Sequence, residues 1–414
     1  MYEELFQVPT VVARYRAGPY AESREQFLKK ARADGYSPLT LERMAWALLV
    51  VAEIVRDAGG SITAKRLRRA LFRQVKSKWP GHPPSRHTIK LILQAGAPWL
   101  RSMGALTVVE PKRPQKFATE LRAFKEYCIV ERGLSPATIA SCDEAMRWFF
   151  NSLPPRVRSL DVVTLGHVDA FLKDHASRGW SRQSLHGLAC RLRSFFRYAA
   201  SRQWCRSDFA RSIELPRIYK LEDVPRAPSA EQIDRLLEDT ASSDDPAKIR
   251  AHAILSLLIH YGLRRGEVAR LTLDDLDWAA ETIHVTRPKM RRAQSYPMSV
   301  PVGEAILRYL RLARPRSPHR SLFLTVLAPI RPLSGPSITY VVRTLLTKQG
   351  VKLTWRGAHC LRHACAGQLL DAGFTLKQIA DHLGHRSMDT TRIYTKIDLR
   401  GLRQVAEFDL GALL

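Results

Sequence analysis

The chain has 414 residues, of which 66 are lysine or arginine and 39 are aspartate or glutamate, and its formal net charge is +27. This length predicts two or three domains, and the charge favours a polyanionic partner such as nucleic acid over an acidic or neutral one. No apolar run approaches the roughly 20 residues of a membrane-spanning helix and Met1 to Arg14 lacks a secretory signal, so we expect a cytoplasmic protein without membrane contact.

Two stretches rich in proline and charge interrupt the helical periodicity of the sequence. They lie at residues 110–116 and 215–228. We therefore predict a helical module at residues 1–110, a second helical module at 111–217 and a third domain at 218–414.

The first two parts resemble each other in sequence. Gly35–Thr40 (GYSPLT) recurs as Gly133–Thr138 (GLSPAT), and in both segments the serine is expected to cap a helix whose first turn contains the proline. We interpret the similarity as a tandem duplication of a helical DNA-binding module, with chance similarity between two amphipathic helices as the alternative. Two further matches share one offset: Ser85–Arg86 with Ser181–Arg182, and Trp99–Arg101 with Phe195–Arg197.

The first copy is more basic than the second. Seven cations lie between Lys65 and Lys78 without an intervening acid, whereas the matching stretch of the second copy contains Asp169 and Asp174. This favours an additional DNA contact by the first module, and a solvated helix face is the alternative. In the two modules we expect DNA contacts from Lys65, Arg66, Arg69, Arg73, Lys76 and Arg182.

The third part mixes helical patterns with one hairpin signal. Residues 282–285 and 295–300 alternate as strands do, and they flank a polar turn. We predict a mainly α protein with a small antiparallel sheet in this domain. Three arginines of the hairpin, Arg287, Arg291 and Arg292, are also expected to contact DNA.

Short motifs with chemical potential follow in order through the third part. In the segment Gly262 to Glu267 (GLRRGE), Arg264 falls at a turn between helices. The spacing of His359 and Arg362 puts an imidazole and a guanidinium on one helix face. Further on, the sequence Leu383-Gly384-His385 precedes a predicted helix that carries Tyr394 about two turns later. Singly, each motif is more often structural than catalytic.

The ordered series GLRxxE, a hairpin lysine, HxLRH, LGH and a tyrosine nine residues after that histidine resembles the signature of the tyrosine recombinase (phage integrase) family. The resemblance extends from about Ser229 to the C-terminus, and residues 117–217 resemble the helical core-binding domain of the family. It implies a DNA clamp and a site-specific recombinase or integrase, here of a mobile element. Such an enzyme cleaves DNA through a covalent 3′-phosphotyrosyl intermediate. The first module is additional to the usual two-domain plan.

The resemblance and the chemistry of the side chains together suggest a role for each motif residue. Lys289 is the hairpin lysine, the only lysine between Lys248 and Lys348, and unlike an arginine it can release a proton as a general acid. Glu267 is expected to orient Arg264. The remaining roles are Tyr394 as nucleophile, Arg264 and Arg362 as clamps on the phosphate, His385 as a hydrogen-bond donor and His359 as the base.

Metal chemistry is the competing interpretation, because Cys360, Cys365 and the pair His359 and His363 lie close together in sequence. No HExxH glutamate accompanies them, so we expect neither a metal nor a cofactor. The expected partner is double-stranded DNA.

The sequence also leaves alternatives for assembly and activity. An apolar face from Leu399 to Leu414 is expected to dock on a neighbouring protomer, with docking on its own domain as the alternative. By the resemblance we expect a homo-tetramer on two DNA sites, with partner recombinases as an option. The alternatives to a recombinase are a type IB topoisomerase-like enzyme and a DNA-binding accessory protein that does not cleave.

Overall fold

The computed structural model describes residues 1–78, 86–107, 116–219, 227–287, 292–351, 353 and 357–384. Helices dominate, and the third domain contains a small antiparallel sheet, which confirms the predicted fold class. The chain divides into two compact units, residues 1–107 together with 223–414, and residues 108–222. In the described ranges, no helix has the length and apolar character needed to cross a membrane.

The first module packs around one long helix, α4, which is buried on most sides because its sequence is nearly continuously apolar. Helices α3, α5 and α6 pack against it, and two short parallel strands pair beside them. The elements are α1 (Tyr2–Leu5), α2 (Pro9–Ala17), α3 (Ala21–Ala33), α4 (Pro38–Asp57), β1 (Ile62–Thr63), α5 (Ala64–Lys78), α6 (Arg86–Ser102) and β2 (Leu106–Thr107).

The turn after α3 contacts the third domain. The backbone N–H of Ile330 donates a hydrogen bond to the carbonyl oxygen of Asp34 at 2.9 Å. The next residue, Gly35, has φ +87°, and a Cβ at this position would lie 2.7 Å from Cγ1 of Ile330. Both the backbone conformation and this close approach therefore require glycine.

The second module has an aromatic core, with Phe149, Phe150, Phe195 and Phe196 fully buried. Its helices begin as those of the first module do: Ser135 accepts a hydrogen bond from the backbone N–H of Thr138, as Ser37 does from Thr40. The elements are α7 (Ala118–Val130), α8 (Pro136–Ser152), α9 (Leu165–Ser177), α10 (Arg182–Ser201) and α11 (Phe209–Ser212).

The last helices of the two modules, α6 and α10, begin at the offset shared by the later matches between the two sequence copies, but they do not end at it. Helix α6 has 17 residues and α10 has 20, so the two ends correspond at a larger offset than the starts. At the ends, the hydroxyl of Ser102 donates to the carbonyl of Trp99 and that of Ser201 donates to Tyr198. Trp99 and Phe195, which the sequence match pairs, are both fully buried.

The third domain is built around α13, a buried helix that packs against α12, α15 and α17. Its sheet has the order β3-β4-β5 with antiparallel pairing, and Ile283 pairs with Tyr296 in the predicted hairpin. The elements are α12 (Ala230–Ala241), α13 (Pro246–His260), α14 (Arg265–Arg270), a 3₁₀ turn (Leu273–Asp275), β3 (Leu276–Asp277), β4 (Thr282–Arg287), β5 (Arg292–Pro297), α15 (Val300–Arg308), a π-helical segment (Tyr309–Ala313), α16 (Gly335–Lys348), α17 (Ala358–Asp371) and α18 (Leu376–Leu383).

Candidate active site

Arg264 lies where the chain turns from α13 into α14. Gly262 makes this turn with φ +57°, and a Cβ there would overlap the side chain of Leu383. Nη1 of Arg264 donates to Oε1 of Glu267 at 2.8 Å, and Nη2 donates to the carbonyl oxygen of Gly384 at 3.0 Å. Glu267 also accepts from the backbone N–H of Arg264 at 2.8 Å. The contact that the sequence analysis expected between Glu267 and Arg264 is thus present, and 39% of the Arg264 side chain stays exposed.

Arg362 on α17 connects the other motifs. It is 1% exposed, and its Nη1 donates to the carbonyl oxygen of Gly262 at 2.6 Å. Its Nη2 donates to the carbonyl oxygen of Leu383 at 2.7 Å. One guanidinium therefore joins the GLRxxE, HxLRH and LGH motifs, although the first of them lies about a hundred residues before the other two along the chain.

His359 lies one turn before Arg362 on α17, and its side chain is exposed. Its ring contacts that of His363 with a centroid distance of 4.4 Å. The protein packed around the imidazole, together with the guanidinium groups of Arg362 and Arg264, lowers the pKa of His359 from its ordinary value. Burial, with smaller effects of His359 and Arg362, lowers the pKa of His363 to about 4. Both rings are therefore neutral near pH 7, and a neutral imidazole can accept a proton.

Arg287 does not lie where the sequence analysis placed it. It is 3% exposed, which contradicts the prediction that it contacts DNA. On β4 it shares the inward face with Ile283 and Val285, and its Nη2 donates to the hydroxyl of Tyr296. Its Nε lies 3.7 Å from Oε1 of Glu267. The alternation with Ile283 and Val285 was a signal for burial.

Several predicted site residues lie outside the described residues. These are Lys289, Arg291, His385 and Tyr394, and the side chains of Arg292 and Lys76 are outside as well. The described part of the site therefore consists of Arg264, Glu267, His359 and Arg362.

The structure adds two polar residues of β5 that the sequence analysis did not select. The hydroxyl of Tyr296 donates to the carbonyl oxygen of His382, and Nε2 of Gln294 lies 3.3 Å from the carbonyl oxygens of Asp381 and His382. Burial raises the pKa of Tyr296 to about 12, so the hydroxyl stays protonated. A tyrosine at an inward strand position is ordinarily a core residue, and the sequence held no further signal.

The two cysteines of α17 are engaged with backbone carbonyl groups. Sγ of Cys360 donates to Gly357 O at 3.0 Å, and Sγ of Cys365 donates to His260 O at 3.8 Å. Burial raises the pKa of both thiols, that of Cys365 to about 12, which disfavours the thiolate form that binds zinc. In the part of the chain that the structure describes, no group of three or more histidine, cysteine, aspartate and glutamate side chains is arranged around a metal position.

The predicted basic residues of the first module lie on its surface. Lys65, Arg66, Arg69 and Arg73 are exposed on α5. A groove with a volume of about 1490 Å³ runs beside this helix, with apolar residues such as Phe72 and Leu93 in its lining. Among the described residues, its lining also includes six cations and no carboxylate: Lys65, Arg68, Arg69, Arg73, Lys90 and Arg101. In the second module, Arg182 is exposed.

Comparison with known proteins decides the family. The sequence model of the phage integrase family matches residues 229–400, and that of the phage integrase N-terminal SAM-like domain matches residues 121–203. Integrase/recombinase y4rA of Sinorhizobium fredii is 35% identical over 312 residues, which are 74% of this chain and 75% of that protein. The chain belongs to the phage integrase family. Its members break and rejoin DNA, so the chain is a tyrosine-type DNA breaking and rejoining enzyme.

Other relatives agree with this family. Tyrosine recombinase XerC of Roseiflexus castenholzii is 29% identical over 289 residues, covering 67% of this chain and 89% of that protein. The XerH site-specific recombinase bound to palindromic difH has a similar fold, with TM-score 0.55 and 18% identity, covering 70% of this chain and 84% of that one. A lambda integrase dimer bound to a core site has TM-score 0.54 and 15% identity, covering 67% and 94%. These two structures support the fold.

The neutral state of His359 can be measured without DNA. We predict that its imidazole titrates with a midpoint below pH 6.5, because the protein packed around the ring and two nearby cations disfavour its charged form. Arg264→Gln removes one of these cations and should therefore raise the midpoint. Histidine-labelled protein observed by NMR, with His359→Gln for assignment, provides the measurement. A midpoint at or above 6.5 in the wild type would contradict the electrostatic argument.

Proposed function

We propose that this protein is a site-specific recombinase or integrase of a mobile element that cleaves double-stranded DNA through a 3′-phosphotyrosyl bond to Tyr394. The observation that carries the proposal is the set of hydrogen bonds by which Arg264 and Arg362 join three separate motifs. His359 lies near enough to both guanidinium groups that they lower its pKa. The names of the relatives, which are integrases and recombinases, favour strand exchange over a topoisomerase activity.

The proposed cleavage is an in-line displacement at phosphorus. The hydroxyl oxygen of Tyr394 forms a bond to the scissile phosphate, and the bond from phosphorus to the 5′ oxygen breaks. His359 accepts the proton of the tyrosine, and Lys289 donates a proton to the leaving oxygen. A 5′-hydroxyl from another strand reverses these events without an external energy source, because the phosphodiester bond is conserved in the phosphotyrosine.

Charge on the phosphate increases during this displacement, and cations compensate it. Arg264 is partly exposed, and only two of its N–H groups bond to Glu267 and Gly384, so it retains donors for a phosphate oxygen. Arg362 is 1% exposed and its terminal nitrogens bond to the carbonyl oxygens of Gly262 and Leu383, so it contributes its positive charge from the protein interior instead of clamping the phosphate as the sequence analysis expected. His385 supplies a further hydrogen bond.

The nucleophile is tested by Tyr394→Phe. The change removes the reacting oxygen and keeps the ring, so we expect covalent adducts to disappear while DNA affinity stays within about threefold. Adducts are counted by denaturing gel on nicked suicide substrates whose site is selected from a random duplex library by the wild-type protein. Tyr340→Phe, at an exposed tyrosine of α16, is the matched control. Normal adduct formation by Tyr394→Phe would refute the assignment.

The general acid is tested by Lys289→Ala on two substrates. A 5′-phosphorothiolate substrate releases a thiolate, which leaves without a proton, so its cleavage should be restored to near the wild-type rate. On the ordinary substrate, we expect a loss of about 100-fold or more. Single-turnover rates at saturating protein give the comparison. Equal losses on both substrates would assign Lys289 to binding instead of proton donation.

The first module is proposed to be a second copy of the core-binding fold that adds a DNA contact. Helices α3 to α6 follow the order of α7 to α10, and the serine caps of α4 and α8 have the same geometry. The family models match residues 121–203 and 229–400, so residues 1–120 lie outside both matches. The cations on α5 and beside its groove are the groups that would neutralise phosphates.

This proposed role of α5 is tested by the salt dependence of DNA binding. Lys65→Gln, Arg69→Gln and Arg73→Gln are combined, and the slope of log affinity against log salt should become shallower by about 0.9 for each phosphate that the variant no longer neutralises. The matched control combines Arg14→Gln, Lys30→Gln and Arg43→Gln, which removes the same charge from exposed positions of other helices. Equal slopes for the two triple variants would mean that α5 presents only a solvated face.

For assembly, we propose a homo-tetramer on two DNA sites in which the apolar face from Leu399 to Leu414 packs on a neighbouring protomer. A segment of this size cannot form a core alone. Partner recombinases in the complex remain compatible with this arrangement.

A further inference from the structure

The C-terminal end of α18 is bound by side chains from several elements. The last carbonyl groups of a helix lack donors within the helix, so other groups must satisfy them. Here the hydroxyl of Tyr296 donates to His382 O, Arg362 donates to Leu383 O and Arg264 donates to Gly384 O. We call these carbonyl groups and their donors the α18 terminus cluster. Arg264 and Arg362 of the candidate active site therefore bond to the same helix end as Tyr296, which lies on β5 of the sheet.

Arg287 lies directly against this cluster. Gly384 ends α18 with φ +61°, and a Cβ at this glycine would overlap the guanidinium group of Arg287. Nη2 of Arg287 donates to the hydroxyl of Tyr296. Glu267, whose carboxylate holds Arg264, has its Oε1 3.7 Å from Nε of Arg287. Arg287 thus contacts Tyr296 and also Glu267 and Gly384, the two residues that bond to Arg264.

The burial of Arg287 is costly for stability alone. It is 3% exposed, and its Nε and Nη1 have no hydrogen-bond partner among the described residues. A buried guanidinium with unused donors destabilises a fold relative to an apolar side chain of similar size. An apolar residue would also continue the inward alternation of Ile283 and Val285. Because core packing alone would favour an apolar residue, the cation at this position indicates a further role.

We propose that Arg287 and Tyr296 are positioning residues for DNA cleavage. Through Gly384 and His382 they fix the end of α18, and the carbonyl oxygen of Gly384 in turn fixes Arg264. They also lie on the two strands that precede and follow residues 288–291, so one pair of side chains couples the paired strands to the helix end. This inference rests on the proposed cleavage function.

Tyr296→Phe is the decisive variant because it removes one oxygen and leaves the ring in place. Tyr309→Phe is its matched control: Tyr309 is fully buried in the same core, and its hydroxyl accepts a hydrogen bond from the backbone N–H of Leu324 at 3.1 Å. The first readout is hydrogen exchange of the full-length protein without DNA. We expect faster exchange across residues 376–384 in Tyr296→Phe and unchanged exchange there in Tyr309→Phe.

The second readout is the single-turnover rate of adduct formation at saturating protein on the selected suicide substrate, together with DNA affinity. Tyr296→Phe should slow the saturated rate about 10- to 100-fold with affinity within about threefold, as expected when reacting groups are displaced slightly. Tyr309→Phe should stay within about twofold. Arg287→Lys keeps the positive charge, so it should retain a higher cleavage rate than Arg287→Met when the two variants are compared at the same fraction of folded protein.

The outcomes distinguish failure of the positioning role from failure of the proposed cleavage function. Equal saturated rates for Tyr296→Phe and Tyr309→Phe would overturn the positioning role, as would faster exchange without a slower rate. A loss of activity confined to DNA affinity would also overturn it. If the wild-type protein forms no adduct, the proposed function itself fails, and the hydrogen-exchange result still shows whether the Tyr296 hydroxyl holds the end of α18.

Discussion

The buried guanidinium of Arg362 is the interaction on which the rest of the site depends. Its two terminal nitrogens bind the carbonyl oxygens of Gly262 and Leu383, so it fixes the turn before α14 and the end of α18 at once. Both partners are backbone atoms at positions where the helices α13 and α18 have ended and their carbonyl groups need donors. A guanidinium meets this requirement because its donors are planar and diverge. Arg264 depends on both segments, since it follows Gly262 and bonds to Gly384.

This construction leaves an excess of positive charge in the third domain. Arg264, Arg287 and Arg362 lie around the same helix end, and Glu267 is the carboxylate that contacts two of them. Like charges held together in a poorly hydrated site repel one another, and the repulsion also lowers the pKa of His359. Under the proposed function, an incoming phosphate reduces this repulsion as it binds, and the free energy that clustering the cations costs the fold is recovered in the complex with DNA.

The sequence predicted those features that depend on short-range patterns. Serine caps, the hairpin and the proximity of Glu267 to Arg264 follow from local spacing, because partners three residues apart meet at a helix start. The prediction for Arg287 was wrong, because its charge was given more weight than its place in the alternation of β4. Tyr296 was missed because its partner His382 reaches it only through the packing of α18 on the sheet. Contacts of this kind have no signal in local sequence.

As the proposed second copy of the core-binding fold, the first module illustrates how a helical fold can keep its architecture while its surface changes. The features that α4 and α8 share are backbone requirements, namely a serine cap, a proline in the first turn and a preceding glycine with positive φ. The features that differ are exposed side chains: α5 carries cations, whereas α9 has Asp169 and Asp174 at its surface. Contact with the third domain also uses backbone atoms, through Asp34 O and the absence of a side chain at Gly35. Substitutions at the exposed positions of α5 are therefore free of both constraints, and selection for a binding partner can act on them without disturbing the buried Leu67 and Leu71.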